Sequence, residues 1–218
     1  MARKKNITKD NLINWYMEFV LENNHQPKSV FSFAKENNFE EADFYKFYGS
    51  FETIEEAIFS DFFHHTITVL NKSEDYESYD KRNKLLSFYF TFFEILTANR
   101  SYVVYALESA KKDLKKLKSI KSLRTAYIKY IEDLNIDRIE LKQENLEKIQ
   151  NTSIKESSWI QLIITMKFWL DDVSPSFEKT DIFIEKSINA GFDLMDIKPL
   201  KSIIDFGKFI LKEKVNFN

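Results

Sequence analysis

Only three glycines and three prolines occur in 218 residues, and this scarcity limits the fold more than any other property of the chain. Glycine makes up about 7% of an average protein, because tight hairpins and phosphate-cradling loops need backbone angles that other residues reach only with strain. A chain this poor in glycine cannot supply the turns of a many-stranded sheet. Helices joined by short polar turns are the remaining solution, so an all-α fold is expected. Cysteine is absent, which excludes disulfides, thiolate metal sites and a cysteine nucleophile and fits a reducing, cytoplasmic compartment. No run approaches the roughly 18 consecutive apolar residues of a membrane span, and Met1 to Asp10 is polar, without the apolar core of a signal peptide.

The periodicity supports this at every step. Leu12, Trp15, Tyr16, Phe19 and Val20 recur at steps of three and four, one face of a helix running from the cap Thr8 to about Asn23. Asn23 and Asn24 suit its left-handed end, and Pro27 prevents continuation. A short helix starts at the cap Ser29 and buries Val30, Phe33 and Ala34, Asn37 and Asn38 turn the chain, and a third helix spans Glu41 to Tyr48 and breaks at Gly49, where positive φ is expected. Ser50 caps a long helix towards Leu70 whose first turns hold Glu52, Glu55 and Glu56, at the end where the helix dipole favours negative charge.

The polar stretch Asn71 to Asp80 reads as a loop and a domain boundary. Beyond it, Leu85 to Leu96 is apolar on nearly every side and should be central to a second helical domain. Further helices are expected over Tyr102 to Leu117, Ser122 to Ile149, Ile154 to Leu170, Phe177 to Met195 and Leu200 to Val215, about nine in all. The expected organisation is a domain of residues 1–50, a connecting helix over 51–72 and a larger domain of 73–218.

The first fifty residues hold three helices, two of them short and joined by a tight turn, the arrangement of a helix-turn-helix. Their residues Ser29-Val30, Phe33-Ala34, Asn38-Phe39, Phe44-Tyr45-Lys46-Phe47-Tyr48 and Ser50-Phe51-Glu52 resemble the signature of the tetracycline-repressor (TetR) family of bacterial regulators. The resemblance covers about residues 8–70 and implies a dimeric, ligand-responsive transcriptional regulator that acts as a repressor, with an all-α effector and dimerisation domain. It implies DNA contacts at Ser29, Tyr45 and Lys46, with Glu41, Ala42 and Asp43 opening the recognition helix, and a homodimer paired through about residues 177–215. Where the family pattern offers DNA a phosphate donor, this chain has Phe47 and Phe51.

Charge is unevenly placed. Residues 1–60 carry seven basic and ten acidic side chains, a net of minus three, whereas DNA affinity comes largely from neutralising phosphates. The basic arm Arg3, Lys4 and Lys5 is expected to compensate in part by lying in a minor groove, as homeodomain arms do, though it brings only three charges. Lys111 to Arg124 holds seven basic residues against Asp113, a net of plus six. It reads as a solvated face, or as a patch for anionic lipid headgroups or an acidic partner.

A second segment, Phe168-Trp169-Leu170-Asp171-Asp172 through Ser174-Pro175 and Phe177 to Phe183, is similar to the closing part of the ubiquinone-biosynthesis accessory lipid-binding proteins. These share the tetracycline-repressor fold and bind isoprenoid lipid, which implies an alternative function as a lipid-binding accessory protein that has lost DNA binding. Phe88, Tyr89, Phe92 and Phe93 are the candidate wall of a site for an apolar or lipid-like effector. His64 and His65 are adjacent, so on a helix they point about 100° apart and do not form an i, i+4 metal pair. Asp171 and Asp172 read as surface or cap residues. No nucleophile with a recognisable base appears, and neither catalysis, a metal nor a cofactor is expected.

Overall fold

A computed structural model describes residues 7–112, 119–136 and 144–196. Among them are nine α-helices and no strand: α1 Lys9–Asn23, α2 Val30–Glu36, α3 Glu41–Phe44, α4 Phe51–Leu70, α5 Lys81–Ala98, α6 Arg100–Lys112, α7 Lys121–Leu134, α8 Glu144–Asp171 and α9 Glu178–Asp196. The described residues divide into two compact units, one within Met1–Lys72 and Thr91–Lys129, the other within Ser73–Phe90 and Tyr130–Asn218. The chain therefore passes from one unit to the other after α4, inside α5 and again inside α7.

Short polar residues set the ends of the first helices. Thr8 is extended, and its Oγ1 accepts from the Asn11 amide at 3.1 Å while its own N–H donates to Asn11 Oδ1 at 3.2 Å, a reciprocal cap. Asn24 closes α1 in the left-handed conformation at φ 56°, and Asn38 turns the chain after α2 at φ 57°. Gly49, by contrast, is not at positive φ: the left-handed positions among the described residues belong to Asn24, Asn38, Asn135, Ser176 and Phe177. The third helix is also shorter than its apolar spacing suggests. After Phe44 the turn tightens, with the amides of both Phe47 and Tyr48 donating to the Phe44 carbonyl at 3.0 Å, because Ser50 must be extended to open α4.

Inside the first unit, α1 packs on α4 and α6, and α2 on α3. Phe33 is the hub. Its ring meets those of Tyr16, Phe19, Phe39, Phe44 and Phe51 at centroid separations of 5.7 to 6.5 Å, all nearly edge to face. This is the favoured geometry for aromatic quadrupoles, worth about 0.5–1.5 kcal/mol per pair beyond the area buried.

In the second unit α8 packs on α9. The single helix expected over Ser122 to Ile149 is instead interrupted. It ends at Leu134, where Asn135 takes φ 47° and donates its amide to the Glu132 carbonyl at 3.0 Å, and α8 begins at Glu144, ten residues before the expected start. The expected helix over Leu200 to Val215 lies outside the described residues.

The α8–α9 turn is organised by Asp172. Its Oδ1 accepts from the amide and hydroxyl of Ser174 at 2.8 and 2.7 Å, and its Oδ2 from the amide and hydroxyl of Thr180 at 2.9 and 2.7 Å. Burial favours the neutral acid, but these four donors outweigh it and bring the carboxyl from 3.8 down to about 2. A carboxyl lowered in the folded state stabilises above its unfolded value, and the effect is lost as pH falls through the folded value. The stability difference between the wild type and Asp172→Asn, read from denaturation midpoints, should shrink as pH falls from about 4 to about 2.

Candidate nucleic-acid interface

The helix-turn-helix is built from the inside out. Phe33 and Ala34 of α2 and Phe44 of α3 are buried, which leaves the outer positions of both helices facing away from the core. Ser29 is extended, and its Oγ accepts from the Ser32 amide at 3.1 Å while its N–H donates to Ser32 Oγ at 3.2 Å. On the outer surface Phe31 is 62% exposed and Tyr45 is 54% exposed. Phe31, Lys35, Glu40, Glu41, Ala42 and Tyr45 line an open groove of about 640 Å³.

Two of the expected DNA-facing side chains are engaged by carboxylates of the same short helix. Lys46 Nζ lies 2.5 Å from Asp43 Oδ1, and the Tyr45 hydroxyl donates to Glu41 Oε1 at 3.3 Å. Ala42 is exposed, whereas Glu41 and Asp43 are half-buried. Arg3, Lys4 and Lys5 lie outside the described residues. Phe51 is not on this surface: it is buried, with its ring stacked on Tyr16 at 5.5 Å and edge-on to Phe44 at 5.5 Å. The aromatic residue at that position is explained by packing. Phe47 is half-buried.

Behind the helix-turn-helix sits a carboxyl whose environment the charge pattern does not reveal. Glu55 is only 7% exposed, and its Oε1 accepts from the Tyr16 hydroxyl at 2.7 Å and from Gln26 Nε2 at 2.8 Å. One side chain of α4 thereby ties α1 to the segment that leads into α2. Burial first, and then the adjacent Glu55 carboxyl, raise the Tyr16 hydroxyl far above its ordinary value. Tyr102 of α6 is also fully buried, and its hydroxyl has no hydrogen-bond partner among the described residues. It is likewise raised by burial and then by Glu55 and Tyr105. The sequence did carry a signal for Glu55, since Phe51 and Phe59 lie four residues to either side on the same helical face.

The four candidate effector residues are all buried. Phe88 and Tyr89 belong to the second unit, where Phe88 stacks on Tyr130 at 4.8 Å. Phe92 and Phe93 belong to the first, with their rings edge to face at 5.8 Å. Of the basic stretch Lys111 to Arg124, residues 113–118 lie outside the described residues. On α8 and α9, Ile160, Ile164, Phe168 and Ile182 are exposed, and Phe168 stacks on Phe183 at 4.6 Å. No helix among the described residues is long and apolar enough to cross a membrane.

Residues 84–210, more than half the chain, match a family model described as the C-terminal domain of tetracyclin repressor-like proteins. The chain belongs to the tetracycline-repressor-like family. No curated protein matches it. The TetR-like match opens within α5 and extends beyond α9, so it contains Phe88, Tyr89, Phe92 and Phe93 and the apolar residues of α8 and α9. The all-α architecture of the described residues is that of a TetR-type regulator, with a helix-turn-helix ahead of a larger helical region.

In this TetR-like chain Glu55→Leu should leave the Tyr16 and Gln26 donors without their acceptor. The expected loss of stability is about 1–3 kcal/mol for the buried hydroxyl. Glu55→Gln retains an acceptor oxygen and should lose less, a ranking that urea denaturation of the two variants reads directly.

Proposed function

We propose that the chain is a ligand-responsive transcriptional regulator that binds operator DNA through α2 and α3 and acts as a repressor. The observation supporting this reading is the outer surface of the α2–α3 pair, which presents Phe31 and Ala42, with Tyr45 and Lys46 in the turn after α3, on helices whose inner residues are committed to the aromatic core. In this role Ser29, Tyr45 and Lys46 contact phosphates, Glu41, Ala42 and Asp43 face base edges, and Arg3, Lys4 and Lys5 add positive charge in the minor groove. Binding transfers Lys46 from Asp43 to a phosphate. The Lys46 ammonium stays in solvent while Asp43 is half-buried, and a phosphate offers the ammonium an equivalent charged acceptor, so the transfer exchanges one ion pair for another.

The effector is apolar or lipid-like, with Phe88, Tyr89, Phe92 and Phe93 as its wall. A dimer through about residues 177–215, with exposed Ile160, Ile164 and Phe168 of α8 added to the contact, sets two recognition helices at adjacent half-sites. An effector that favours one spacing of those helices changes DNA affinity through a coupling free energy. The basic stretch Lys111 to Arg124 serves an anionic lipid or an acidic partner.

A second reading, a lipid-binding accessory protein on the same fold, is favoured by one observation. The cationic and hydroxyl groups expected to meet phosphates, Lys46 and Tyr45, are both bound to carboxylates. Mass spectrometry of an organic extract should distinguish it. Protein purified from its native host yields a bound isoprenoid or acyl lipid under the second reading, and a clean extract removes it.

For the regulator, electrophoretic retardation of the gene's own upstream DNA should weaken as salt rises, with a shallow slope because few phosphates are neutralised. Lys46→Ala should lower affinity and reduce that slope by about one. Failure to bind the upstream DNA at low salt overturns the reading.

A further inference from the structure

The groove between α2 and α3 is apolar and rich in acceptors, whereas guanine readout calls for donors. In the major groove of B-DNA guanine presents two acceptors, cytosine and adenine present amino donors, and the one apolar group is the 5-methyl of thymine. Among the described residues that line the groove, Lys35 is the one cation. Glu40 and Glu41 place carboxyl groups on the lining, which repel guanine's N7 and O6 and accept from an amino group. Phe31 is the unusual element. It is a large ring in the first turn of α2, exposed to 62% while Phe33 and Ala34 of the same helix carry the core. Ala42, on α3, is an exposed small apolar side chain lining the same groove.

We propose that Phe31 is a specificity-determining residue that reads thymine 5-methyl groups in the operator's major groove, with Ala42 as the apolar contact from α3 and Glu41 accepting from a cytosine or adenine amino group. The inference rests on the DNA-binding reading and adds the chemistry of the bases selected. The half-site is rich in thymine methyls and amino edges at the positions under α2 and α3, and specificity comes from shape and methyl contact more than from charge. Phe31 can be varied without disturbing the fold, because its ring stands outside the aromatic cluster that Phe33 organises.

The experiment uses the full-length chain and a pool of randomised duplexes, from which the bound sequence is enriched. Each thymine of that duplex is then replaced in turn by deoxyuridine, which removes the methyl and nothing else. Wild-type protein should lose about fourfold in affinity at one or two positions per half-site, the equivalent of one buried methyl group. Phe31→Ala should bind the thymine duplex as weakly as the wild type binds the uracil one, and should show no further loss on substitution. An enriched sequence to which wild-type protein binds equally with thymine or uracil overturns the assignment, as does a Phe31→Ala variant that keeps the full uracil penalty. If no duplex is enriched and none is bound at low salt, the DNA-binding reading itself falls, an outcome distinct from either of those.

Discussion

The first unit depends on the ring of Phe33. Five aromatic side chains from α1, the α2–α3 turn, α3 and the start of α4 converge on it, so the placement of the two short helices α2 and α3 between α1 and α4 is set by ring contacts around a single residue. Short helices have little intrinsic stability, because nucleation fixes several dihedrals for one hydrogen bond. The seven residues of α2 and the four of α3 persist through that packing. Beside this apolar centre lies Glu55, a polar exception that holds Tyr16 and Gln26. Aromatic packing fixes where the helices lie, and the carboxyl, which accepts only from suitably placed donors, fixes the register of α1 against α4.

With the inner faces committed in this way, the outer face of α2 and α3 is what the pair presents to solvent, and its electrostatics are shaped by local carboxylates. The contact between Lys46 and Asp43 spans one turn of chain, so the turn alone brings the two within reach. Charge that is neutralised locally contributes little to long-range attraction of an anion. What remains distinctive on the surface is therefore shape and apolar area, above all at Phe31.

Much of this architecture was legible in the sequence, because caps and turn residues act locally. Thr8, Ser29, Asn24 and Asn38 each take the conformation that their short polar side chains favour. The features that were not legible depend on residues far apart in the chain. For Glu55 the flanking Phe51 and Phe59 mark a buried face, but its partners Tyr16 and Gln26 are brought to it only by the fold. Asn135 ends α7 within a stretch whose periodicity continues past it, since periodicity reports which face is apolar and not whether the backbone stays helical. Gly49 invites a left-handed turn that the extended Ser50 makes unnecessary. Phe51 reads as a replaced surface residue until the cluster around Phe33 gives it a place. The Lys46 and Tyr45 contacts are local, yet they depend on rotamers, which spacing does not specify.

The turn between α8 and α9 carries a further consequence. Ser176 and Phe177 both hold positive φ, a conformation that non-glycine residues leave readily when free, and Asp172 restrains them with four hydrogen bonds that reach from the end of α8 to the first turn of α9. A hairpin held in this way does not become more ordered when its apolar face meets another surface. A contact made by that face costs overall translational and rotational freedom but little conformational entropy of the turn. Acid that protonates Asp172 loosens the hairpin and adds that entropy back as a cost of assembly.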